Sequence, residues 1–79
     1  MSQDLQVEFL VEPFREGEPG AHVVAAIDAL RDAGLSVDVG ALSSTATGPV
    51  DAVASGIAEM VRASIAAGAQ RLHLQVVTT

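Results

Sequence analysis

The sequence contains no cysteine, no lysine, no tryptophan and no tyrosine. The absence of cysteine excludes disulfides, thiolate metal sites and a cysteine nucleophile. Because lysine is absent, 4 basic residues stand against 10 acidic ones. This balance argues against nucleic acid as a partner, since basic side chains that neutralise phosphates supply most of the affinity for it. It argues equally against anionic membrane surfaces.

Aromatic residues are also scarce, because Phe9 and Phe14 are the only two. The hydrophobic fraction is nevertheless 49%, and much of it is Ala and Val, so we expect a core of small aliphatic side chains. A chain this short buries only about 60% of the surface that its unfolded form exposes. Chains of this size often complete their core by oligomerising when disulfides and metals are absent.

Targeting and membrane-spanning segments are not apparent in the sequence. The first residues, Met-Ser-Gln-Asp, carry no basic region followed by an apolar stretch. No apolar run approaches the length that crosses a bilayer. We therefore expect a cytoplasmic protein that does not interact with membranes, and a length of 79 residues predicts one domain spanning residues 1–79.

Two segments alternate between apolar and other side chains, which is typical of half-buried strands. In residues 5–14 one predicted face carries Leu5, Val7, Phe9 and Val11, and the other carries Gln6, Glu8, Leu10 and Glu12. In residues 71–77 the predicted buried face carries Leu72, Leu74 and Val76, and the other carries His73, Gln75 and Val77. Pro13 cannot donate a ladder hydrogen bond, so the first strand is expected to end there.

Helical periodicity and punctuation predict two helices. The first covers about 20–33, and Gly34 is expected to cap it in the left-handed conformation. The second begins at Pro49, in the first helical position, and ends at Gly68. Val50, Val53, Ile57, Met60, Val61 and Ser64 follow its period. Gly56 inside this helix predicts a close approach to a neighbouring element.

The segment between the helices, residues 35–48, predicts two short strands joined by a turn at 41–44. The element order is then strand, helix, strand, strand, helix, strand. Right-handed crossovers and short loops favour a ferredoxin-like α+β fold of βαββαβ order. It has a four-stranded antiparallel sheet with two helices on one face. The name describes topology only, since an iron–sulfur cluster has no cysteine ligands here.

The face of the sheet without helices is the candidate binding surface. Glu8, Glu12, His73 and Gln75 bring carboxylate, imidazole and amide groups beside Leu10. A mixed polar and apolar face suits either a subunit interface or a small-molecule site. The alternative is an ordinary solvated surface, since exposed Glu and His side chains are common.

Catalysis has no strong candidate residues in this sequence. The spacing of His22 and His73 matches no metal motif. Neither a G-x-S-x-G nucleophile elbow nor a phosphate-binding glycine loop is present. We therefore expect no enzymatic activity, no metal and no organic cofactor, although Glu8, His22 or His73 as an acid or base remains a minor hypothesis.

Several short patterns resemble the small thiamine-binding proteins of bacteria and archaea and their tandem-domain YkoF-like relatives. They are Val11-Glu12-Pro13-Phe14, Gly17-x-Pro19-Gly20-x-His22-Val23, Gly34-Leu35-x-Val37, Ser44-Thr45-x-x-Gly48-x-x-Asp51-x-Val53 and Gly68-Ala69-x-Arg71-x-x-x-Gln75-Val76. No single pattern is specific, but their order and spacing resemble the family from Leu5 to Val77.

The resemblance implies non-enzymatic binding of thiamine or of its hydroxymethylpyrimidine half, in a carrier or sensor. It also implies self-association to a homodimer or homotetramer. Carried onto this sequence, it places ligand-binding residues in the first strand and in the segment from Ser44 to Gly48. Together with the open-face prediction, the candidate ligand-binding residues are Glu8, Leu10, Glu12, Ser44, Thr45 and Gln75. The alternative function is an oligomeric regulatory or interaction module of the same fold, which binds another small molecule or a protein partner.

Overall fold

A computed structural model describes residues 3–13, 20–40 and 43–79. The elements along the chain are β1 (Asp4–Glu12), α1 (Ala21–Asp32), β2 (Ser36–Val39), β3 (Ser44–Pro49), α2 (Val50–Ala66) and β4 (Arg71–Thr78). This is the predicted order of strands and helices. The predicted turn at 41–44 lies partly outside the described residues.

The four strands form one antiparallel sheet in the order β2-β3-β1-β4. Both helices pack against one face of it and against each other. The architecture is the ferredoxin-like α+β fold, as the sequence predicted. Because β1 and β3 occupy the centre, the chain reaches each of the edge strands, β2 and β4, through a helical crossover.

The boundaries of the elements follow from the residues predicted to set them. Strand β1 ends at Glu12, directly before Pro13. Gly34 and Gly68 adopt φ of 89° and 111° at the ends of the helices, a conformation that only glycine adopts without steric cost. Two boundaries differ from the prediction. Ser44, predicted in the turn, is the first residue of β3. Pro49 precedes α2 as its extended N-cap residue instead of occupying its first turn.

The core lies between the sheet and the two helices. Its buried apolar side chains include Val7, Phe9, Val11, Leu30, Leu35, Ala46, Val53 and Met60. Gly56 allows α2 to approach α1 closely, as predicted. A Cβ atom at this position would lie 3.1 Å from Leu35 Cδ1 and 3.2 Å from both Ala33 Cβ and Leu30 Cδ2.

The helices cover the central strands better than they cover β4. Leu74 and Val76 lie on the predicted side of β4, but they are 39% and 46% exposed instead of buried. The reason is that α2 packs mainly on α1, β1 and β3. Val50 and Val61 of α2 were placed on the buried side by the helical period and are exposed as well.

Neither of the two helices described combines the length and the apolar character that crossing a bilayer requires.

Candidate functional site

Three strands meet around one carboxylate on the open face of the sheet. In the antiparallel register, Glu8 of β1 lies between Thr45 of β3 and Gln75 of β4. Side chains on directly opposed residues of neighbouring strands are about 5 Å apart at Cβ and can contact a common ligand. The structure therefore brings together Glu8, Thr45 and Gln75, as the sequence predicted.

The hydroxyl that contacts Glu8 comes from Ser43. Its Oγ donates a hydrogen bond to Glu8 Oε2 at 3.2 Å. Sequence reasoning missed Ser43 and chose Ser44 instead. Ser44 is only 8% exposed and pairs with Phe9 and Val39, so it lies on the helix-covered side of the sheet. The alternation that buries Ala46 also buries Ser44, and counting back from Ala46 was the signal that could have found this.

Two shallow depressions adjoin Glu8 and Gln75. One encloses about 310 Å³ and is lined by Glu8, Phe9, Leu10, Ser43, His73, Leu74 and Gln75. The other encloses about 190 Å³ and is lined by Gln6, Glu8, Thr45, Gln75 and Val77. The surface around Glu8 therefore offers carboxylate, amide and hydroxyl groups between two apolar borders, Leu10 and Val77. We call this surface the Glu8 site.

A second polar group lies farther along the same two strands. Glu12 pairs with Arg71 across the ladder, with 3.8 Å between Arg71 Nε and Glu12 Oε2. His73 Nε2 lies 3.6 Å from Glu12 Oε1. Pro13 and Gln70 join Glu12 and Arg71 around a depression of about 380 Å³. We call Glu12, Arg71 and His73 the Arg71 cluster.

Glu12 and Glu8 are therefore not parts of one pocket. They are four residues apart on β1, which corresponds to about 13 Å along a strand. Leu10 lies between them and pairs with His73, so it borders the Glu8 site on the side of the Arg71 cluster. Of the six predicted ligand-binding residues, four lie together in the Glu8 site: Glu8, Leu10, Thr45 and Gln75. Glu12 lies in the neighbouring Arg71 cluster. Ser44 lies on the opposite, helix-covered side of the sheet.

His22 takes no part in either group. Its ring Nε2 contacts the carbonyl oxygen of Pro13, at the start of α1. Within the described ranges, no three His, Asp or Glu side chains converge in a way that could hold a metal ion.

The fold of this chain recurs in solved structures. A domain of unknown function from Bacillus cereus is 25% identical, with a TM-score of 0.70 over 100% of this chain and 77% of that one. A hypothetical protein from Methanocaldococcus jannascii is 17% identical, with a TM-score of 0.70 over 98% of this chain and 79% of that one. No functionally curated protein matches the sequence.

A family model described as thiamine-binding protein matches residues 7–78. The chain belongs to this family, as the sequence patterns indicated. A further structural neighbour, from Thermotoga maritima, is described as a candidate thiamine biosynthesis/salvage protein. It is 19% identical, with a TM-score of 0.55 over 95% of this chain and 81% of that one.

Proposed function

We propose that the chain binds thiamine, or its hydroxymethylpyrimidine half, at the Glu8 site without catalysing a reaction on it. Membership of the thiamine-binding family supports the ligand class. The observation that supports the location is the common ladder position of Thr45, Glu8 and Gln75. The protein then acts as a carrier or sensor, in the cytoplasm.

The chemistry of the site suits both halves of thiamine. The aminopyrimidine has an exocyclic amine that donates hydrogen bonds and ring nitrogens that accept them. Glu8 accepts from the amine, while the Gln75 amide and the Thr45 hydroxyl can donate to a ring nitrogen. The thiazolium carries a permanent positive charge, which the Glu8 carboxylate also attracts.

Hydrogen bonds and apolar contacts have to supply most of the affinity, because the described open face presents no Phe, Tyr or Trp side chain. Phe9 is buried between sheet and helices, and Phe14 lies outside the described residues. A net hydrogen bond to a charged group contributes about 1.5–3 kcal/mol. A few such bonds, with Leu10 and Val77 against the rings, are sufficient for micromolar binding, about −8 kcal/mol.

Calorimetric titration with thiamine and with hydroxymethylpyrimidine tests the proposal. We expect saturable heat with both compounds, and the same compounds should raise the thermal unfolding temperature. Oxythiamine, in which a carbonyl oxygen replaces the amine, is the matched control and should bind more weakly. No heat and no thermal shift at millimolar thiamine contradict the proposal.

We propose that the protein self-associates and acts as a homodimer or homotetramer. Leu74 and Val76 support it, because they expose apolar surface on an edge strand whose outer backbone groups have no strand partner in the described sheet. This is also the observation that favours the alternative function, an interaction module.

Sedimentation equilibrium should give a dimer or tetramer for the wild-type chain and a lighter species for Leu74→Ser. A wild-type monomer at micromolar concentration contradicts it.

A further inference from the structure

We propose that the preferred ligand carries an anionic tail: a phosphate monoester of a two-ring compound, with its amine-bearing heterocycle at the Glu8 site and its phosphate at the Arg71 cluster. This inference rests on the proposed function and extends it, since the heterocycle occupies the Glu8 site. The ligand then lies along the open face of the sheet over β1 and β4, with its amine-bearing ring at Glu8 and its phosphate at Arg71.

The register of β1 and β4 supplies the required spacing. His73 pairs with Leu10 and Arg71 pairs with Glu12, whereas Gln75 pairs with Glu8. At about 3.3 Å per residue, the position of His73 lies about 7 Å from that of Gln75 along the strand, and the position of Arg71 lies about 13 Å from it. These side chains lie on one face of the sheet because they alternate with Leu72 and Leu74. Their span is comparable to an extended two-ring ligand with a phosphate ester.

The ion pairs of the Arg71 cluster leave N–H groups of Arg71 and His73 available to donate hydrogen bonds to a phosphate. The ion pair with Glu12 involves Arg71 Nε and is long, at 3.8 Å, so it is no hydrogen bond. Among the described residues, the two terminal guanidinium nitrogens donate to no acceptor. Arginine binds phosphate through two parallel N–H donors. His73 Nε2, at 3.6 Å from Glu12, is also beyond hydrogen-bonding distance and can donate to the same phosphate.

The net charge of the chain disfavours the binding of anions, so the affinity for a phosphate depends on Arg71. The formal net charge of the chain is −6, so the long-range field repels a phosphate. Among the described strands, Arg71 is the single arginine, because Arg31 and Arg62 lie on the helices. Among the described residues of the open face, Arg71 and His73 are therefore the side chains that favour a phosphorylated ligand.

Calorimetry compares thiamine with thiamine monophosphate; hydroxymethylpyrimidine phosphate, with one ring, is too short to extend from Glu8 to Arg71 and should bind no more tightly than hydroxymethylpyrimidine itself. We expect the wild-type chain to bind thiamine monophosphate up to about fivefold more tightly than thiamine, the upper end of what an exposed charge pair contributes. Arg71→Gln should abolish this preference while leaving thiamine affinity within about twofold. Glu12→Gln should increase the preference, because it removes a competing negative charge. One molar salt should suppress it.

Arg62→Gln is the matched control. Arg62 is as exposed as Arg71, at 70% against 69% of the side chain, and it likewise pairs with a single glutamate. This variant should keep the full preference for the phosphate. Equal affinity of wild type for thiamine and its monophosphate, or an equal loss in both arginine variants, overturns the inference and leaves the proposed function standing. Failure to bind any of the four compounds overturns both.

Discussion

Glu8 and Phe9 are neighbours in one strand and share one hydrogen-bond ladder, yet they lie in opposite environments. Phe9 is 3% exposed and packs in the layer that holds Val7 and Met60. Glu8 faces water and accepts a hydrogen bond from Ser43. One face of β1 therefore contributes to the hydrophobic core, and the other face contributes to the candidate binding site. The two properties can therefore be changed separately.

The largest effect, on the free energy of unfolding, is expected from a substitution on the helix-covered face of β1. Phe9→Ala removes most of a buried side chain and leaves a cavity, which costs about 3–5 kcal/mol of unfolding free energy. Small domains have only about 5–15 kcal/mol in total, so this variant should lose much of its resistance to urea.

Leu10→Ala is the matched control on the open face. Leu10 is half-buried, and its truncation leaves no closed cavity, so it should cost about 1 kcal/mol or less. Similar urea midpoints for Phe9→Ala and Leu10→Ala contradict the distinction between the two faces.

A smaller effect, on binding alone, is expected from Glu8→Gln. The substitution keeps the shape and an acceptor oxygen but removes the charge that attracts the amine and the thiazolium. Calorimetry should show thiamine affinity about tenfold lower, while the unfolding free energy changes by less than about 0.5 kcal/mol.

Glu59→Gln controls for the change in net charge. Glu59 is an exposed carboxylate on α2, paired with Arg62 and not part of either polar group on the open face. Its variant should bind thiamine as the wild type does. An equal loss of affinity in both variants means that net charge, and not the Glu8 site, determines binding.

The fold could be predicted from the sequence because its determinants are local and periodic. Strict alternation assigned the two faces of β1, Pro13 set its end, and Gly34 and Gly56 acted as predicted. Pro49 was misplaced by one residue, since a proline suits both the N-cap in extended conformation and the first helical position.

The site could be predicted only in part, for two physical reasons. The run Ser43-Ser44-Thr45 lacks large apolar residues that would reveal which positions face the core, and Ser44 was therefore assigned to the wrong side of the sheet. Alternation also shows which side of β4 holds Leu74 but not how far the helices extend over it. The extent of that cover depends on how α1 and α2 pack together, which is a tertiary property.

Backbone-amide NMR during a thiamine titration tests whether thiamine binds at the Glu8 site, because it reports on the sheet and on both helices in one experiment. We expect the largest saturable shift changes at Glu8, Thr45 and Gln75, with little change along α1 and α2. The Glu8→Gln variant should need about tenfold more thiamine to reach the same changes. Saturable changes confined to the helices, with the open face of the sheet unaffected, contradict the account.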